Sequence, residues 1–166
     1  MFIIESDRSN GPIINVNSKS DIMPSPDLER SVDQYCDLVA NKVIQSRQKS
    51  RQKDYPSVVV SCKMNGGNNR IYNAMSSKPI PGMYELPLEI ALTRLGGVGQ
   101  HSRNGCPYII GNCAEPHAAN KLLKNTAVAV GLEQILFSTA LRPRTRQVIP
   151  YCANCRAVFP SLTHQR

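Results

Sequence analysis

Three cysteines in two separated motifs place the strongest constraint on how this chain folds. Cys113 begins the motif at residues 113–117 (CAEPH), and Cys152 and Cys155 follow after a stretch long enough for a helix and a strand. Residues three positions apart on the first turn of a helix point to one face, so Cys152 and Cys155 can share one metal ion. A fold that brings Cys113 to the same ion leaves a fourth position for water, which is typical of catalytic zinc sites.

The residues beside Cys113 suggest how such a site would work. Glu115 lies two positions further on, close enough to reach a metal-bound water without binding the ion, so we expect it to transfer protons. Pro116 is tolerated only in the first turn of a helix, which places Cys113 and Glu115 at the positive helix N-terminus. That partial charge would offset the excess negative charge of three thiolates. Asn112 is expected to cap this helix.

At these positions the sequence resembles the zinc-dependent cytidine deaminase superfamily, whose signature is His or Cys, any residue and Glu, followed later by Pro-Cys-x-x-Cys. Residues 113–120 (CAEPHAAN) and 151–155 (YCANC) are most similar to the YwqJ-like deaminases, which occur as toxin domains of bacterial polymorphic toxins. The resemblance implies three Zn²⁺ ligands, Cys113, Cys152 and Cys155. It also implies that Glu115 moves protons while water attacks C4 of cytosine or C6 of adenine.

Six further residues are predicted to contact the substrate. Tyr151 departs from the signature by separating Pro150 from Cys152, and it can stack on the base or simply pack. Asn73 lies in the region where the resemblance implies contact with the nucleoside. His117, one turn into the helix, can touch phosphate or ribose, or can be a surface histidine without function. The other three are basic residues ahead of the cysteine pair, Arg142, Arg144 and Arg146.

The charge distribution indicates a polyanionic partner. The net charge is +8, and residues 134–166 contain no Asp or Glu. Two basic clusters stand out: Lys42, Arg47, Lys49, Arg51 and Lys53 form the first, and Arg142, Arg144, Arg146, Arg156 and Arg166 form the second. Such clusters can hold the phosphates of DNA or RNA, although a solvated basic surface is the alternative. The absence of Trp argues against a stacking platform for long single strands.

Three functions remain open from the sequence. The first is hydrolytic deamination of a nucleobase in DNA or RNA, most simply cytosine to uracil, by a toxin-type enzyme that would then have an immunity protein as partner. The second is a salvage deaminase acting on free cytidine or a free nucleotide. The third is a non-enzymatic, zinc-stabilised nucleic-acid-binding module in which Cys106 closes the metal site.

Composition also limits the setting in which the protein acts. Six cysteines could form disulfides, but a chain of 166 residues has room for its own core and does not need them. Thiol ligands suit a reducing cytoplasm, reached directly or by delivery as a toxin. No signal peptide and no apolar run of transmembrane length are evident, so no membrane partner is expected. The oligomeric state is left open.

The resemblance implies an α/β protein, a three-layer α/β/α sandwich with a mixed sheet that has few strands after the last zinc cysteine. We expect an N-terminal arm or edge strand at residues 1–24 and a single deaminase domain at 25–166. Apolar residues at helical spacing predict a first helix at 26–48. The later elements are predicted as strand 57–64, turn 65–69, hairpin strand 70–76, helix 87–95, zinc-bearing helix 116–130, strand 134–141, basic loop 142–150 and a last helix from Cys152.

Overall fold

The computed structural model describes residues 25–46 and 55–163. The predicted N-terminal arm or edge strand at 1–24 lies outside these residues. The same holds for most of the first basic cluster, namely Arg47, Lys49, Arg51 and Lys53, and for Arg166 of the second. The protein is described below from the remaining parts of the chain.

Helix α1 spans Pro26–Ser46 and confirms the predicted first helix as far as the described residues reach. Its buried side chains recur every three or four positions and are Leu28, Val32, Cys36 and Val39. This spacing places them on one stripe, which packs against the sheet. Asp27 in the first turn adds a negative charge where the helix dipole favours one.

The sheet contains three described strands, β1 (Val59–Met64), β2 (Tyr72–Met75) and β3 (Ile135–Phe137), in the order β2-β1-β3. The hairpin prediction is confirmed, since β1 pairs antiparallel with β2. Strand β3 also runs antiparallel to β1. The prediction of a mixed sheet is therefore wrong for the described part of the chain. The short hairpin connection makes β2 run antiparallel to β1. Strand β3 runs in the same direction as β2 and pairs with the other edge of β1.

Successive residues of β1 face opposite sides of the sheet, which separates two layers of helices. Val59 packs with α1 in a small apolar cluster. Val60 and Cys62 belong to the larger core, which also contains Ala118 and Leu122 of helix α3 (Ala114–Lys124). Helices α2 (Leu86–Arg94) and α4 (Ala153–Val158) complete the four α-helices of the described residues. The result is a mixed α/β protein with a small antiparallel sheet.

Several element ends differ from their predicted positions. Helix α3 begins at Ala114 and ends at Lys124, because the Asn125 N–H turns back to the carbonyls of Leu122 and Leu123. The predicted strand at 134–141 contains only three strand residues, although Leu141 still forms an isolated bridge with Val59. Helix α2 and the last helix lie within one residue of their predicted starts.

The chain after Cys155 adds no strand within the described residues, as predicted for a short C-terminal part. Instead, α4 is followed by a 3₁₀ turn at Pro160–Leu162, where the Ser161 hydroxyl donates to the Ile135 carbonyl at 2.6 Å. Phe159 packs edge-on against Phe137 with ring centroids 4.9 Å apart. In the described part of the chain, no helix is long and apolar enough to cross a bilayer.

Candidate metal centre and adjoining cavity

Two helix N-termini bring the three predicted cysteines together. Cys113 is the N-cap of α3, and Cys152 is the N-cap of α4. Cys155 follows in the first turn of α4 and is buried. The three Sγ atoms lie within 4.8 Å of one another, and those of Cys113 and Cys152 are 3.5 Å apart. These three cysteines could therefore hold a metal ion.

The three thiols differ in how readily they ionise. The hydrogen bond between Cys113 and Cys152 lowers the pKa of the Cys152 thiol and raises that of Cys113. The pKa of Cys155 is raised, first by its hydrogen bonding with Cys113. One sulfur thus carries a negative charge that its neighbours stabilise as protonated thiols. A bound cation would displace those protons, since metal ligation requires thiolates.

Glu115 lies beside the sulfurs without joining them as a fourth ligand. Its side chain is only 3% exposed, and Oε2 accepts a hydrogen bond from Cys155 Sγ at 3.3 Å. Burial raises the pKa of this carboxyl to about 7. A carboxyl with such a pKa can take up and release protons near neutral pH, which is what general acid–base chemistry requires.

The remaining cysteines do not extend the metal centre. All six cysteines of the chain are described and are free thiols. Cys106 is buried, and its backbone N–H donates to the Asn104 side chain at 3.1 Å, but it is not a member of the metal-ligating group. Neither a disulfide framework nor a four-cysteine site closed by Cys106 is supported.

The chain bends sharply at Gly111, two residues before Cys113. Gly111 has φ +86°, and an added Cβ would lie 3.0 Å from Pro79 and 3.1 Å from the Tyr84 hydroxyl oxygen. That hydroxyl donates to the Gly111 carbonyl at 2.8 Å. The prediction that Asn112 caps α3 is wrong by one residue, because the N-cap of α3 is Cys113. The Asn112 side chain is one of those that line a cavity next to the sulfurs.

The cavity has a volume of about 220 Å³ and reaches both the sulfurs and the carboxyl. Cys113, Glu115 and Cys152 form part of its wall. The other lining residues come from the β1 and β2 ends, the 108–112 segment and the loop before α4: Ser57, Val58, Ser76, Tyr108, Asn112, Arg142, Ile149 and Pro150. A small molecule entering this cavity would contact Glu115 together with two of the three clustered cysteines, Cys113 and Cys152.

The three predicted loop arginines occupy different surroundings. Arg142 lines the cavity. Arg146 instead points to α1, where its guanidinium pairs with Asp33 at 3.1 Å and with Asp37. Arg144 is exposed and does not belong to the cavity wall. Of the three, the structure brings only Arg142 to the metal centre.

The other predicted substrate contacts lie away from the cavity wall. Asn73 faces the α1 side of the sheet, where its Oδ1 accepts hydrogen bonds from Ser61 and from Ser31. His117 is buried with Nε2 3.0 Å from the Ser77 hydroxyl, and burial lowers its pKa. Tyr151 is partly buried and donates its hydroxyl to the Ser138 carbonyl. These contacts hold neighbouring segments together.

Several cavity residues were not identified from the sequence. Asn112 and Ile149 flank the cysteine motifs, and that proximity could have indicated them. Tyr108 had no comparable signal, because the fold positions it through a hydrogen bond from Asn154 Nδ2 to the Tyr108 carbonyl, 3.0 Å long. Asn154 stands between the two cysteines of α4, so the helix that carries the sulfurs also fixes one side of the cavity.

No protein-family model, no curated protein and no solved structure matches the chain significantly. A function has to be inferred from the chemistry of the site.

Proposed function

We propose that this protein is a zinc-dependent hydrolase that deaminates a nucleobase, converting cytosine to uracil in nucleic acid. The observation that supports this most directly is the arrangement of Glu115. Its buried carboxyl lies beside three clustered sulfurs and lines the same cavity. A carboxylate next to an open three-ligand metal site is the constellation used for attack of water on an amidine carbon.

The donor set fits zinc. In a tetrahedral site with Zn–S bonds of about 2.3 Å, sulfur atoms are separated by about 3.8 Å. The observed 3.5 Å between Cys113 and Cys152, and the 4.8 Å limit for all three atoms, agree with that spacing. Cys106 lies outside the group, and no fourth ligand among the described residues joins the three sulfurs, which leaves one coordination position for water. Two helix N-termini supply partial positive charge where three thiolates would meet.

Bound zinc would act as a Lewis acid that lowers the pKa of a water molecule. Glu115 takes a proton from the attacking water and delivers it to the ring nitrogen of the base. A C4–O bond forms, and Glu115 then carries the second proton of the attacking water from the new hydroxyl to the amine. The C4–N bond breaks, ammonia leaves, and the C4 carbonyl of uracil remains. The pKa of about 7 for Glu115 lets one carboxyl both accept and donate the proton near neutral pH.

The cavity and the charge support a base within a nucleotide as substrate. Its volume of about 220 Å³ is below the roughly 300 Å³ at which drug-sized ligand pockets begin, which suits a single base. Enzymes that modify a base within nucleic acid accept it as a flipped or single-stranded unit in such a pocket. The net charge of +8 favours a polyanionic substrate.

One observation also supports a second function, the deamination of a free nucleotide. Arg146 is paired with Asp33 and Asp37, so one of the predicted phosphate contacts is already neutralised within the protein. A cavity with one arginine suits a mononucleotide as well as a nucleotide within a strand. The two are separated by ionic strength, because kcat/KM on an oligonucleotide with several phosphates should fall more steeply with salt than kcat/KM on a mononucleotide.

The test is a deamination assay on zinc-loaded protein with cytosine-containing DNA, RNA and free nucleotides. Conversion of C to U is read by sequencing, and ammonia release is measured in parallel. Glu115→Ala and Glu115→Gln should lower the rate by about 10² to 10⁴ while zinc content stays at the wild-type level. Turnover by these variants at the wild-type rate would overturn the mechanism.

A further inference from the structure

We propose that Arg142 binds a phosphate group of the substrate inside the cavity, so that the site takes nucleotide units and discriminates against neutral nucleosides. This inference rests on the proposed function, which by itself does not say how phosphate is recognised. The basis is the position of Arg142 in the cavity wall and the lack of a hydrogen-bond partner for its buried Nε.

The backbone holds Arg142 firmly at the edge of the sheet. Its neighbour Leu141 exchanges two hydrogen bonds with Val59, 2.8 and 3.0 Å long. The Arg142 N–H donates to the Gln147 carbonyl, and the Arg142 carbonyl accepts from the Arg146 N–H, both at 2.9 Å. Arg142, held by these backbone bonds, is one of the residues that line the cavity. A fixed donor loses less entropy when it binds an anion.

One buried nitrogen atom of the partly exposed Arg142 side chain lacks an acceptor. Arg142 Nε is buried and has no hydrogen-bond partner among the described residues. The ion pairs found in the described part of the chain join Lys63 to Asp27 and Arg146 to Asp33 and Asp37, and none includes Arg142. Leaving a charged donor buried and unpaired is costly, so a ligand with anionic oxygens would be stabilising here.

The rest of the cavity wall is suited to such a ligand. Among the described residues that line it, Glu115 is the only acidic one. Ser76 also lines it, and its Oγ accepts from the Val58 N–H at 3.1 Å, which leaves the hydroxyl proton available for donation. Phosphate offers several acceptor oxygens, and a guanidinium can bind two of them at once in a planar fork. Arg142 and Ser76 together can contact one phosphate while the base lies beside Glu115.

The first experiment measures binding of inorganic phosphate to the zinc-loaded full chain by isothermal titration at low ionic strength. Arg144→Gln is the matched control, because it removes the same charge from the same loop outside the cavity. Wild type and Arg144→Gln should bind phosphate with similar affinity, and Arg142→Gln should bind it about tenfold or more weakly, since hydrogen bonds between charged groups are among the strongest. Equal loss in both variants, or no saturable binding by wild type, would overturn the proposal.

A second measurement uses turnover. The ratio of kcat/KM for cytidine 5′-monophosphate to that for cytidine should exceed one in wild type and fall about tenfold in Arg142→Gln. A trinucleotide with cytidine in the middle distinguishes a backbone phosphodiester from a terminal phosphate as the bound group. An unchanged ratio in Arg142→Gln would contradict the proposal.

Two controls keep the results interpretable. If Arg142→Gln lowers the melting temperature, Arg142→Lys retains the positive charge and should bind phosphate several-fold more weakly than wild type, because an ammonium lacks the fork. Wild-type affinity in a folded Arg142→Lys protein would overturn the fork contact. Failure of the proposed function would look different: phosphate would still bind through Arg142, but no base would be deaminated by wild type.

Discussion

The metal centre depends on three sulfur atoms, and the side chains around it can be tested one at a time. We predict that Cys155→Ser lowers zinc content far below the one ion per chain expected for wild type, because two remaining thiolates hold zinc poorly. Cys106→Ser should leave zinc content unchanged, since Cys106 lies outside the group of clustered sulfurs. Metal analysis of the purified proteins measures both. An equal loss of zinc in Cys106→Ser would instead favour a closed, structural four-cysteine site.

A second side-chain prediction concerns the ion pair that joins α1 to β1. Lys63 Nζ donates to the two carboxylate oxygens of Asp27 at 2.8 and 3.0 Å. This bond, with a further one from Ser25, lowers the Asp27 pKa from 3.8 to about 2. Folding lowers the pKa of Asp27. The ion pair therefore contributes its full stabilisation of the folded state at pH values above the unfolded-state pKa. That stabilisation is lost as pH falls through the folded-state value.

We therefore expect Asp27→Asn to unfold at lower urea concentration than wild type at pH 7. The difference in unfolding free energy should shrink between about pH 4 and pH 2, where Asp27 of the wild type becomes protonated. Urea titrations across that pH range, followed by circular dichroism, give the measurement. A difference that stays constant down to pH 2 would show that the charge of Asp27 has no role in stability.

Among the helices, α2 and α3 are joined by one buried amide. Asn120 of α3 accepts from the Glu85 N–H at the start of α2 at 2.8 Å and donates to the Met83 carbonyl at 3.0 Å. We predict that Asn120→Ala lowers the free energy of unfolding by about 1–3 kcal/mol, because it leaves two partly buried backbone groups unpaired. The exposed Asn125 also bonds a carbonyl, that of Lys121, and serves as the control. Asn125→Ala should cost about 0.5 kcal/mol or less in chemical unfolding experiments.

The helices and the hairpin were predictable because their signals are local. Apolar spacing predicts α1, and Pro116 places Cys113 and Glu115 at the start of α3, as observed. The cavity wall was not predictable to the same extent. Tyr108 and Ser76 are distant from the cysteines in sequence and meet them only through tertiary packing. The orientation of the Arg146 side chain could not be predicted either, because it depends on acidic residues of α1 more than a hundred positions away.

In the described part of the protein, helices pack on both faces of the sheet. Helix α1 covers one face, where Asp33 and Asp37 neutralise Arg146. Helix α3 covers the other face, and the metal centre lies where α3 and α4 begin. Of the loop arginines, Arg142 lines the cavity beside the clustered sulfurs, and we propose that it contacts substrate there, while the remaining excess charge of the +8 chain would act at longer range. A polymer substrate would respond to both contributions, and a neutral nucleoside to neither.

This difference gives a prediction about ionic strength. Each phosphate that the protein neutralises on a single strand should contribute a slope of about −0.7 to a plot of log affinity against log salt concentration. For a nucleic-acid deaminase, kcat/KM on a cytosine-containing oligonucleotide should fall steeply between low and physiological salt. The value for neutral cytidine should hardly change, which controls for any effect of salt on zinc or on folding. Arg142→Gln should make the oligonucleotide slope shallower by about one phosphate contact. If the oligonucleotide and cytidine show equally flat profiles in the wild-type protein, the protein acts on free nucleosides, and its positive charge is a solvated surface without a nucleic-acid partner.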